Sequence, residues 1–294
     1  MNTFTIKDIE NFTGIKAHTI RIWEQRYQLF RPRRKDTNHR VYDKEDLKAL
    51  LRVAYLYHHG IKISRIAALS EAEQNKLSVD LSSGEEKHGL HVNELIAATL
   101  DFDQQRFEGL FQRILRHTGM ETCMTRIILP FLEKMGVLWL TGSIMPAQEH
   151  FSAVIIRQKI IAAIEKEEMN YAAAEHFLLF LPEGEFHEIP LLFVCYLLKK
   201  HGKRVTNLGQ DVPLADLAPF MAAQRVTHIY THLTSIARQA VQHFTEQLAA
   251  MCPQTAILLA GPQTQHIPQP LPANVRLLTS LEDLLGLIRQ PSTS

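Results

Sequence analysis

The stretch Gly14-Ile-Lys-Ala-His-Thr-Ile-Arg-Ile-Trp-Glu-Gln-Arg-Tyr27 decides how the first part of this chain folds. It follows a short segment in which apolar residues recur at helical spacing, namely Ile6, Ile9 and Phe12. Gly14 supplies a turn after that segment, and Ile20 and Trp23 can then close a small core against it. The pattern predicts a helix-turn-helix, with helices at about residues 5–13 and 17–28.

A basic segment, Arg31-Pro-Arg-Arg-Lys-Asp-Thr-Asn-His-Arg-Val-Tyr42, follows the second helix. Its Pro and Asn-His positions favour turns, so it is predicted to form a wing that contacts the DNA backbone. The second helix presents polar and basic side chains away from the small core, and such side chains suit base edges and phosphates. The predicted DNA-binding residues are Thr5, His18, Thr19, Arg21, Arg26, Tyr27, Arg33, Arg34, Lys35, Arg40 and Tyr42.

The positive charge of the chain is concentrated at this end. Residues 1–70 contain fourteen Lys and Arg against seven Asp and Glu, a net charge of +7, whereas the whole chain has a formal net charge of +1. The other residues therefore carry a net charge of −6. Because duplex DNA is a polyanion, the basic end is the predicted nucleic-acid end.

Length and composition limit the class of the protein. At 294 residues the chain has room for two domains, or for one domain and a large sensor. Its longest apolar runs are far shorter than the roughly 20 residues of a membrane-spanning helix, and it opens without an export signal. A soluble, cytoplasmic protein without membrane contact is therefore predicted. Three widely separated cysteines fit neither a disulfide framework nor a zinc site and are interpreted as buried apolar residues: Cys123, Cys195 and Cys252.

Two further patterns follow a polar stretch, Glu71–Lys87, that is interpreted as a linker. Residues 88–168 are strongly helical, and one helix, opened by Asp103, has an apolar stripe made of Phe107, Leu110, Phe111, Ile114 and Leu115. From about residue 172, short apolar strands alternate with helices, which predicts a parallel sheet with helices on both faces. The strands are expected near residues 176–181, 204–208, 227–233, 255–260 and 275–278.

The first seventy residues resemble the MerR family of transcription regulators. The matching positions are Phe4-Thr5-Ile6, Gly14 to Tyr27, and Arg40-Val41-Tyr42, which agree with the family in residue type and in spacing through helix, turn and wing. The resemblance implies sequence-specific binding of double-stranded DNA. It also implies an operator with two-fold symmetry that is read by a pair of these heads.

The rest of the chain resembles the cobalamin-binding regulators of the CarH and LitR type, which join such a head to a helical bundle and an α/β domain. Their Trp-x9-Glu-His motif corresponds to Trp139, Glu149 and His150, which by resemblance cap the upper face of the corrin, where an adenosyl group would lie. Their Asp/Glu-x-His motif corresponds to Glu185 and His187 at the end of the first predicted strand. By resemblance, His187 is the lower axial ligand of cobalt and Glu185 its hydrogen-bond partner, with adenosylcobalamin as the cofactor.

The match continues further along the chain with some departures. His232-Leu233-Thr234 stands where the family has Ser-x-Thr or Ser-x-Leu, so Thr234 is a predicted cofactor contact. Gly261 is another, because Gly261-Pro262 stands where the family has Gly-Gly, and Pro190 likewise replaces a glycine. Proline restricts φ and has no N–H, and His232 is bulkier than serine. Two alternatives therefore stay open, a cobalamin sensor and a sensor that has lost cobalamin and uses another ligand or none.

These resemblances predict a multidomain α and α/β protein. It would have a winged helix-turn-helix head over residues 1–75, a linker over 76–90, a four-helix bundle over 91–168 and a Rossmann-like, flavodoxin-like domain over 172–290. Leu140 stands where some light-sensing members have a histidine that captures cobalt after photolysis, so that form of photoadduct is not expected.

The predicted function is that of a one-component regulator, a repressor, and not of an enzyme. The sequence has no Gly-rich phosphate loop, nucleophile elbow or His/Cys metal spacing, and the pairs His58-His59 and His228/His232 are weak metal signals. Corrinoid methyl carriers share the bundle and α/β pair but have no DNA-binding head. The expected control is ligand-dependent assembly into a dimer or tetramer, with light as one candidate signal. The alternative is an antagonist protein that docks on the C-terminal module and blocks DNA binding.

Overall fold

The computed structural model describes residues 3–30, 32–34, 40–81 and 86–289. The chain divides into two compact units, Met1–Ile155 and Ile156–Ser294. Among the described residues, no helix is long and apolar enough to cross a membrane.

The first unit begins with the predicted helix-turn-helix. Its elements are α1 (Ile6–Thr13), α2 (Ala17–Tyr27), the strands β1 (Arg33–Arg34) and β2 (Arg40–Val41), then α3 (Lys44–His58), α4 (Ile63–Ala67) and α5 (Glu71–Leu81). The turn after α1 depends on Gly14, which has a φ of 68° at the C-terminal cap, where residues with a side chain are strained. A core of fully buried side chains joins these elements: Phe4, Ile9, Ile20, Tyr42 and Leu47.

The polar stretch predicted as a linker over residues 76–90 is largely helical, and this prediction is corrected. Helix α5 continues to Leu81 and the next helix begins at Glu86, so residues 82–85, outside the described ranges, separate them. Gln74 of α5 is buried, donates to the Ile66 carbonyl at 3.0 Å and accepts from Arg52 Nε at 3.1 Å. The helix was missed because a polar glutamine, instead of an apolar stripe, anchors it to the head.

Residues 86–164 form the predicted bundle. Its helices are α6 (Glu86–Leu100), α7 (Gln104–Cys123), α8 (Leu129–Leu140) and α9 (Pro146–Ile164), with a π-helical turn at Met124–Ile128 between α7 and α8. As predicted, Asp103 caps α7, its side chain accepting from the Arg106 N–H at 3.0 Å. The predicted stripe is confirmed, because Phe107, Leu110, Phe111 and Ile114 are buried, and Phe107 packs edge-on against Phe131.

The second unit contains the predicted parallel sheet. Its elements are β3 (His176–Leu179), α10 (Glu188–Lys200), β4 (Arg204–Asn207), α11 (Leu217–Ala223), β5 (His228–His232), α12 (Arg238–Met251), β6 (Ala256–Ala260), β7 (Val275–Leu277) and α13 (Leu281–Ile288). The strand order is β4-β3-β5-β6-β7, and each neighbouring pair is parallel. This is the flavodoxin-like order, in which the chain runs to one side of β3 and then returns to the other. The carboxyl ends of β3 and β5 therefore meet at the switch point, where ligands of such sheets bind.

Candidate DNA-binding face and candidate ligand site

Helix α2 presents the predicted reading face of the head. His18, Arg21 and Arg26 are exposed and Thr19 and Tyr27 are half-buried, whereas Ile20 and Trp23 face the core. The Arg26 guanidinium lies over the Tyr27 ring, 5.5 Å from its centroid. The two arginines are thus available to an anion while the opposite side of the helix is anchored.

Glu24 joins the reading helix to the wing. The Glu24 side chain is 7% exposed and accepts a 2.6 Å hydrogen bond from Arg40 Nε, and it also accepts a hydrogen bond from the Tyr42 hydroxyl. Burial, followed by the bond to Glu24, raises the pKa of Tyr42, so its hydroxyl keeps its proton. The carboxylate therefore fixes the base of the wing against α2.

The predicted DNA contact at Tyr42 is corrected by this arrangement. The Tyr42 side chain is fully buried, and its backbone pairs with Phe4 through N–H to O distances of 2.9 and 2.8 Å. An aromatic ring in the core of the head supports the wing and does not reach a DNA groove. Arg40 remains a predicted contact, with 22% of its side chain exposed beside Glu24.

The other predicted contacts lie at the first helix and in the wing. The Thr5 hydroxyl caps α1, accepting from the Asp8 N–H at 3.3 Å and donating to the Asp8 carboxylate at 2.8 Å. Arg33 is exposed on β1, where it pairs with Val41 in the two-stranded wing. Arg34 is described by its backbone alone, and Lys35 lies outside the described residues.

The head contacts the bundle within the first unit. Ser143 Oγ donates to Asp8 Oδ2 at 3.2 Å, where both residues are buried. Asp101, after α6, accepts from Lys44 Nζ at 2.9 Å and from Lys48 Nζ. Although burial raises the pKa of Asp101, the hydrogen bonds from Lys48 and Lys44 lower it below its usual range. The head is thus linked to the bundle by a buried hydrogen bond and a charged cluster.

The predicted Trp-x9-Glu-His residues flank one turn of the bundle. Trp139 lies at the end of α8 with 53% of its surface exposed, beside Leu140, which is 77% exposed. Glu149 and His150 lie in the first turns of α9, with Glu149 Oε2 and His150 Nδ1 2.9 Å apart. The two exposed apolar side chains and the carboxylate–imidazole pair thus lie on either side of the segment that joins α8 to α9.

In the second unit, Glu185 and His187 follow β3 at the switch point. Glu185 is fully buried, and its Oε1 accepts from His187 Nδ1 at 2.5 Å. Its Oε2 accepts from the backbone N–H groups of Thr234 and Ser235, at 2.8 and 2.6 Å, in the loop after β5. One carboxylate therefore ties together the loops that follow two neighbouring strands.

The ionisation of Glu185 decides the tautomer of His187. Burial raises the pKa of Glu185, but the hydrogen bonds from His187, Ser235 and Thr234 outweigh burial and lower it to about 2. An ionised carboxylate accepts hydrogen bonds and donates none, so His187 Nδ1 carries a proton. In the neutral ring the electron pair then lies on Nε2, the atom that can bind a metal. The His187 side chain is 54% exposed.

The loops after β5 and β6 pack tightly on each other. Gly261 has a φ of 100°, and a Cβ there would lie 2.5 Å from the Leu233 carbonyl oxygen. Thr234 Oγ1 is buried and has no hydrogen-bond partner among the described residues. Position 261 therefore requires glycine because the backbone of Leu233 lies so close. Thr234, beside Glu185, has a hydroxyl oxygen without a hydrogen-bond partner among the described residues.

The positions that depart from the family pattern are accommodated by the fold. Pro190 lies in the first turn of α10 and Pro262 begins a short 3-10 helix at Pro262–His266, where a missing N–H costs no hydrogen bond. His232 ends β5, with its Nδ1 3.1 Å from the Tyr230 hydroxyl. Burial lowers the pKa of His232 to about 4, so its ring is neutral near pH 7.

Several residues of these sites were not predicted from the sequence. On α2, Ile22 and Gln25 are exposed on the reading face, and their positions follow from the helical period. At the switch point, the Ser235 N–H and the Tyr230 hydroxyl had no sequence signal. His228 and His232 have separate partners, since His228 stacks on Phe177 at 4.4 Å. The described ranges contain no group of three or more His, Cys, Asp or Glu residues that could hold a metal ion.

Two family models match this chain. Residues 4–73 match the model described as MerR HTH family regulatory protein, and residues 92–163 match the model described as B12 binding domain. The first match covers the head, and the second covers the bundle.

Relatives are similar to the chain over most of its length. The HTH-type transcriptional repressor CarH of Myxococcus xanthus is 27% identical over 255 residues, which cover 85% of this chain and 84% of CarH. The HTH-type transcriptional repressor CarA of the same organism is 28% identical over an alignment that is 299 positions long and covers 98% of this chain and 97% of CarA. Among solved structures, the monomethylamine corrinoid protein of Methanosarcina barkeri has a TM-score of 0.48 at 16% identity, covering 57% of this chain and 82% of its own.

Proposed function

Because this chain joins a MerR-type helix-turn-helix to a B12-binding-type module and is homologous to the CarH and CarA repressors, we propose that it represses transcription under the control of a bound corrinoid. The homologues are transcriptional repressors, so the chain is a regulator and not an enzyme. The observation that carries the corrinoid proposal is the Glu185–His187 pair at the switch point of the sheet.

His187 is the residue that would bind the cobalt ion of the corrinoid. Its Nδ1–H donates to the buried Glu185, which orients the ring and makes Nε2 more basic. When bound, cobalamin would supply a cobalt ion that can accept a nitrogen ligand. Glu185 is held in turn by two backbone N–H groups, so the ring has a rigid support.

The residues at the switch point fit such a group. Thr234 Oγ1 is a buried hydroxyl with no partner among the described residues, and a polar group of a ligand would satisfy it. Gly261 keeps the β6 loop close to the β5 loop at the same end of the sheet. We also assign Trp139, Glu149 and His150 as cofactor contacts, on resemblance and on the exposure of the Trp139 ring.

The proposed control acts through assembly. Heads that are linked in a dimer or tetramer bind a symmetric operator more tightly than single heads, because the second contact becomes intramolecular. A ligand changes this assembly to the extent that it binds one state better than another. The Asp8–Ser143 hydrogen bond and the Asp101 cluster supply a physical connection between head and bundle along which such a change can reach the DNA.

The cofactor proposal is tested by the visible spectrum of the purified protein. The full chain is expressed with added adenosylcobalamin in the dark, and we expect a corrin band that stays with the protein through gel filtration. His187→Ala should change the band, whereas His243→Ala, an exposed histidine of α12, should leave it unchanged. A protein without a corrin band would contradict cobalamin binding, and an unchanged band in His187→Ala would contradict ligation of the cobalt ion by His187.

Assembly and light are tested on the same material. We expect sedimentation to give a dimer or tetramer in the dark with cofactor, and a different state without it or after illumination. Operator affinity should follow the assembly state. An identical mass in all conditions would contradict control by assembly.

A second candidate function has an observation in its favour. His232 replaces a small serine beside the Glu185–His187 pair, and its ring is hydrogen-bonded to Tyr230. A sensor that has lost cobalamin would then respond to another ligand or to an antagonist protein docked on the second unit. A pull-down with the full chain, followed by a test of whether the captured protein releases operator DNA, separates this candidate from a corrinoid sensor.

A further inference from the structure

The outward face of α2 has an apolar residue at its centre. Ile22 is 52% exposed, although it lies on a helix whose other exposed side chains are polar or charged, including His18, Gln25 and the two arginines Arg21 and Arg26. The core-facing side of the same helix is already filled by Ile20 and Trp23. About half of the Ile22 surface is therefore left outside the packed core of the head.

Helical geometry gives the order of side chains across this face. Successive residues turn by about 100°, so His18, Ile22 and Gln25 project along the middle of the exposed face. Arg21 lies at one edge, on the side of the Tyr42–Glu24 pair, and its charge lowers the pKa of Tyr42. Arg26 lies at the other edge, beside Tyr27. Ile22 is thus an apolar position between two guanidinium groups.

This pattern has the chemistry of a major-groove contact. Arginines at the edges suit phosphates or guanine, and the net charge of +7 over residues 1–70 favours a polyanion over a protein partner of ordinary charge. In the major groove, thymine alone among the four bases presents an apolar group, its 5-methyl. A β-branched side chain on a helix is nearly restricted to one χ1 rotamer, so Ile22 loses little freedom when it packs on such a methyl.

We infer that Ile22 reads a thymine 5-methyl group in each half-site of the operator. This inference rests on the DNA-binding function of the head and adds a base-reading residue to it. Arg21 and Arg26 hold the helix on the duplex, and Ile22 discriminates thymine from the other bases by burying its methyl group.

The experiment removes that methyl group alone. Full-length protein selects an operator from random duplex DNA, and each thymine of both half-sites is then replaced, one symmetric pair at a time, by deoxyuridine. We expect the wild-type affinity to fall about threefold to tenfold at one pair. Ile22→Ala should bind the unmodified operator with a similar loss and show no further loss at that pair, whereas Ile22→Val should be intermediate.

Gln25→Ala is the matched control on the same face and should keep the full sensitivity to deoxyuridine. The two Ile22 variants should retain the wild-type melting temperature, because position 22 is exposed, and the same affinity for unrelated DNA. The inference would be overturned if deoxyuridine lowered the operator affinity of wild type and Ile22→Ala equally. It would also be overturned if no replacement changed the affinity of the wild type. If Ile22→Ala leaves every DNA affinity unchanged, the exposed side chain serves a protein contact instead. Failure to select any operator would count against the regulator itself.

Discussion

At the scale of single residues, two carboxylates hold the candidate sites together. Glu24 accepts hydrogen bonds from Arg40 and Tyr42 in the wing, and Glu185 accepts them from His187 and from the loop after β5. The resemblance indicated Glu185 as a partner of His187 from the sequence. The pairing of Glu24 was not predictable, because its partners are 16 and 18 positions away and meet it after the wing has folded back.

We expect Glu24→Ala to lower the free energy of unfolding by about 1–3 kcal/mol, because it leaves the buried Tyr42 hydroxyl without an acceptor. Tyr42→Phe added to Glu24→Ala should recover part of that loss, since both partners are then apolar. Urea unfolding of the full chain measures both variants. Glu45→Ala, whose side chain is 66% exposed in an ion pair with Lys48, is the control and should change stability by less than about 1 kcal/mol.

The lowered pKa of Glu185 makes the free energy of unfolding depend on pH. Its pKa in the folded chain, about 2, lies below the ordinary value of 4.5, so its contribution is present above about pH 4.5 and is lost as pH falls toward 2. The stability difference between wild type and Glu185→Gln should therefore be up to about 3 kcal/mol near pH 7 and shrink on acidification. Thermal unfolding between pH 7 and pH 3 measures it. Glu183→Gln, an exposed neighbour, should differ little from wild type, and a Glu185→Gln difference independent of pH would contradict this assignment.

At the scale of elements, the spacing of apolar residues along the chain is enough to predict most of the helices and strands. The stripe on α7 and the five apolar strands were predicted close to their observed bounds. Helices and strands each bury apolar residues at a characteristic spacing, and that spacing can be read from the sequence. Helix α5 was not predicted in this way. Its anchor is Gln74, which bonds to Arg52 and Ile66, and such a polar contact leaves no periodic signal in the sequence.

The loops after β5 and β6 yield a prediction at this scale. Gly261→Ala would place a Cβ 2.5 Å from the Leu233 carbonyl oxygen at a φ of 100°, so we expect a loss of at least about 2 kcal/mol in unfolding free energy. Gly286→Ala is the matched control, because it lies within α13 with open space around it, and it should be neutral or stabilising by up to about 1 kcal/mol. Similar stabilities of the two variants in urea would contradict the close approach of the loops.

At the scale of the whole molecule, the first unit combines the head with the bundle as far as Ile155, within α9. Helix α3 packs against α6, and hydrogen bonds between the two parts include those that join Asp8 to Ser143 and Asp101 to Lys44 and Lys48. Asp101 is 28% exposed, so its ion pairs are partly screened by solvent. These ion pairs are therefore expected to contribute modestly to the connection, which suits contacts that respond to assembly or to a ligand.

We expect Asp101→Asn to weaken the hold of the bundle on α3, because it removes the charge that pairs with both lysines. The free energy of unfolding should fall by about 1 kcal/mol or less at low salt, and the difference should narrow in about 1 M salt. Hydrogen exchange of the α3 amides should speed up in the same variant. If the exchange rates of the α3 amides did not change, or if the difference in unfolding free energy did not depend on salt, the Asp101 cluster would not join the head to the bundle.

The sequence by itself determined the helix-turn-helix, the apolar stripe of α7 and the order of strands and helices, because each depends on residues that are near neighbours along the chain. It also indicated His187 and Glu185 through a short motif. The tertiary structure alone decided that Tyr42 is buried on Glu24, that Glu185 holds the loop after β5, and that position 261 requires glycine. The reason is physical: these contacts join groups up to about fifty positions apart, and their distances exist after packing has brought the elements together.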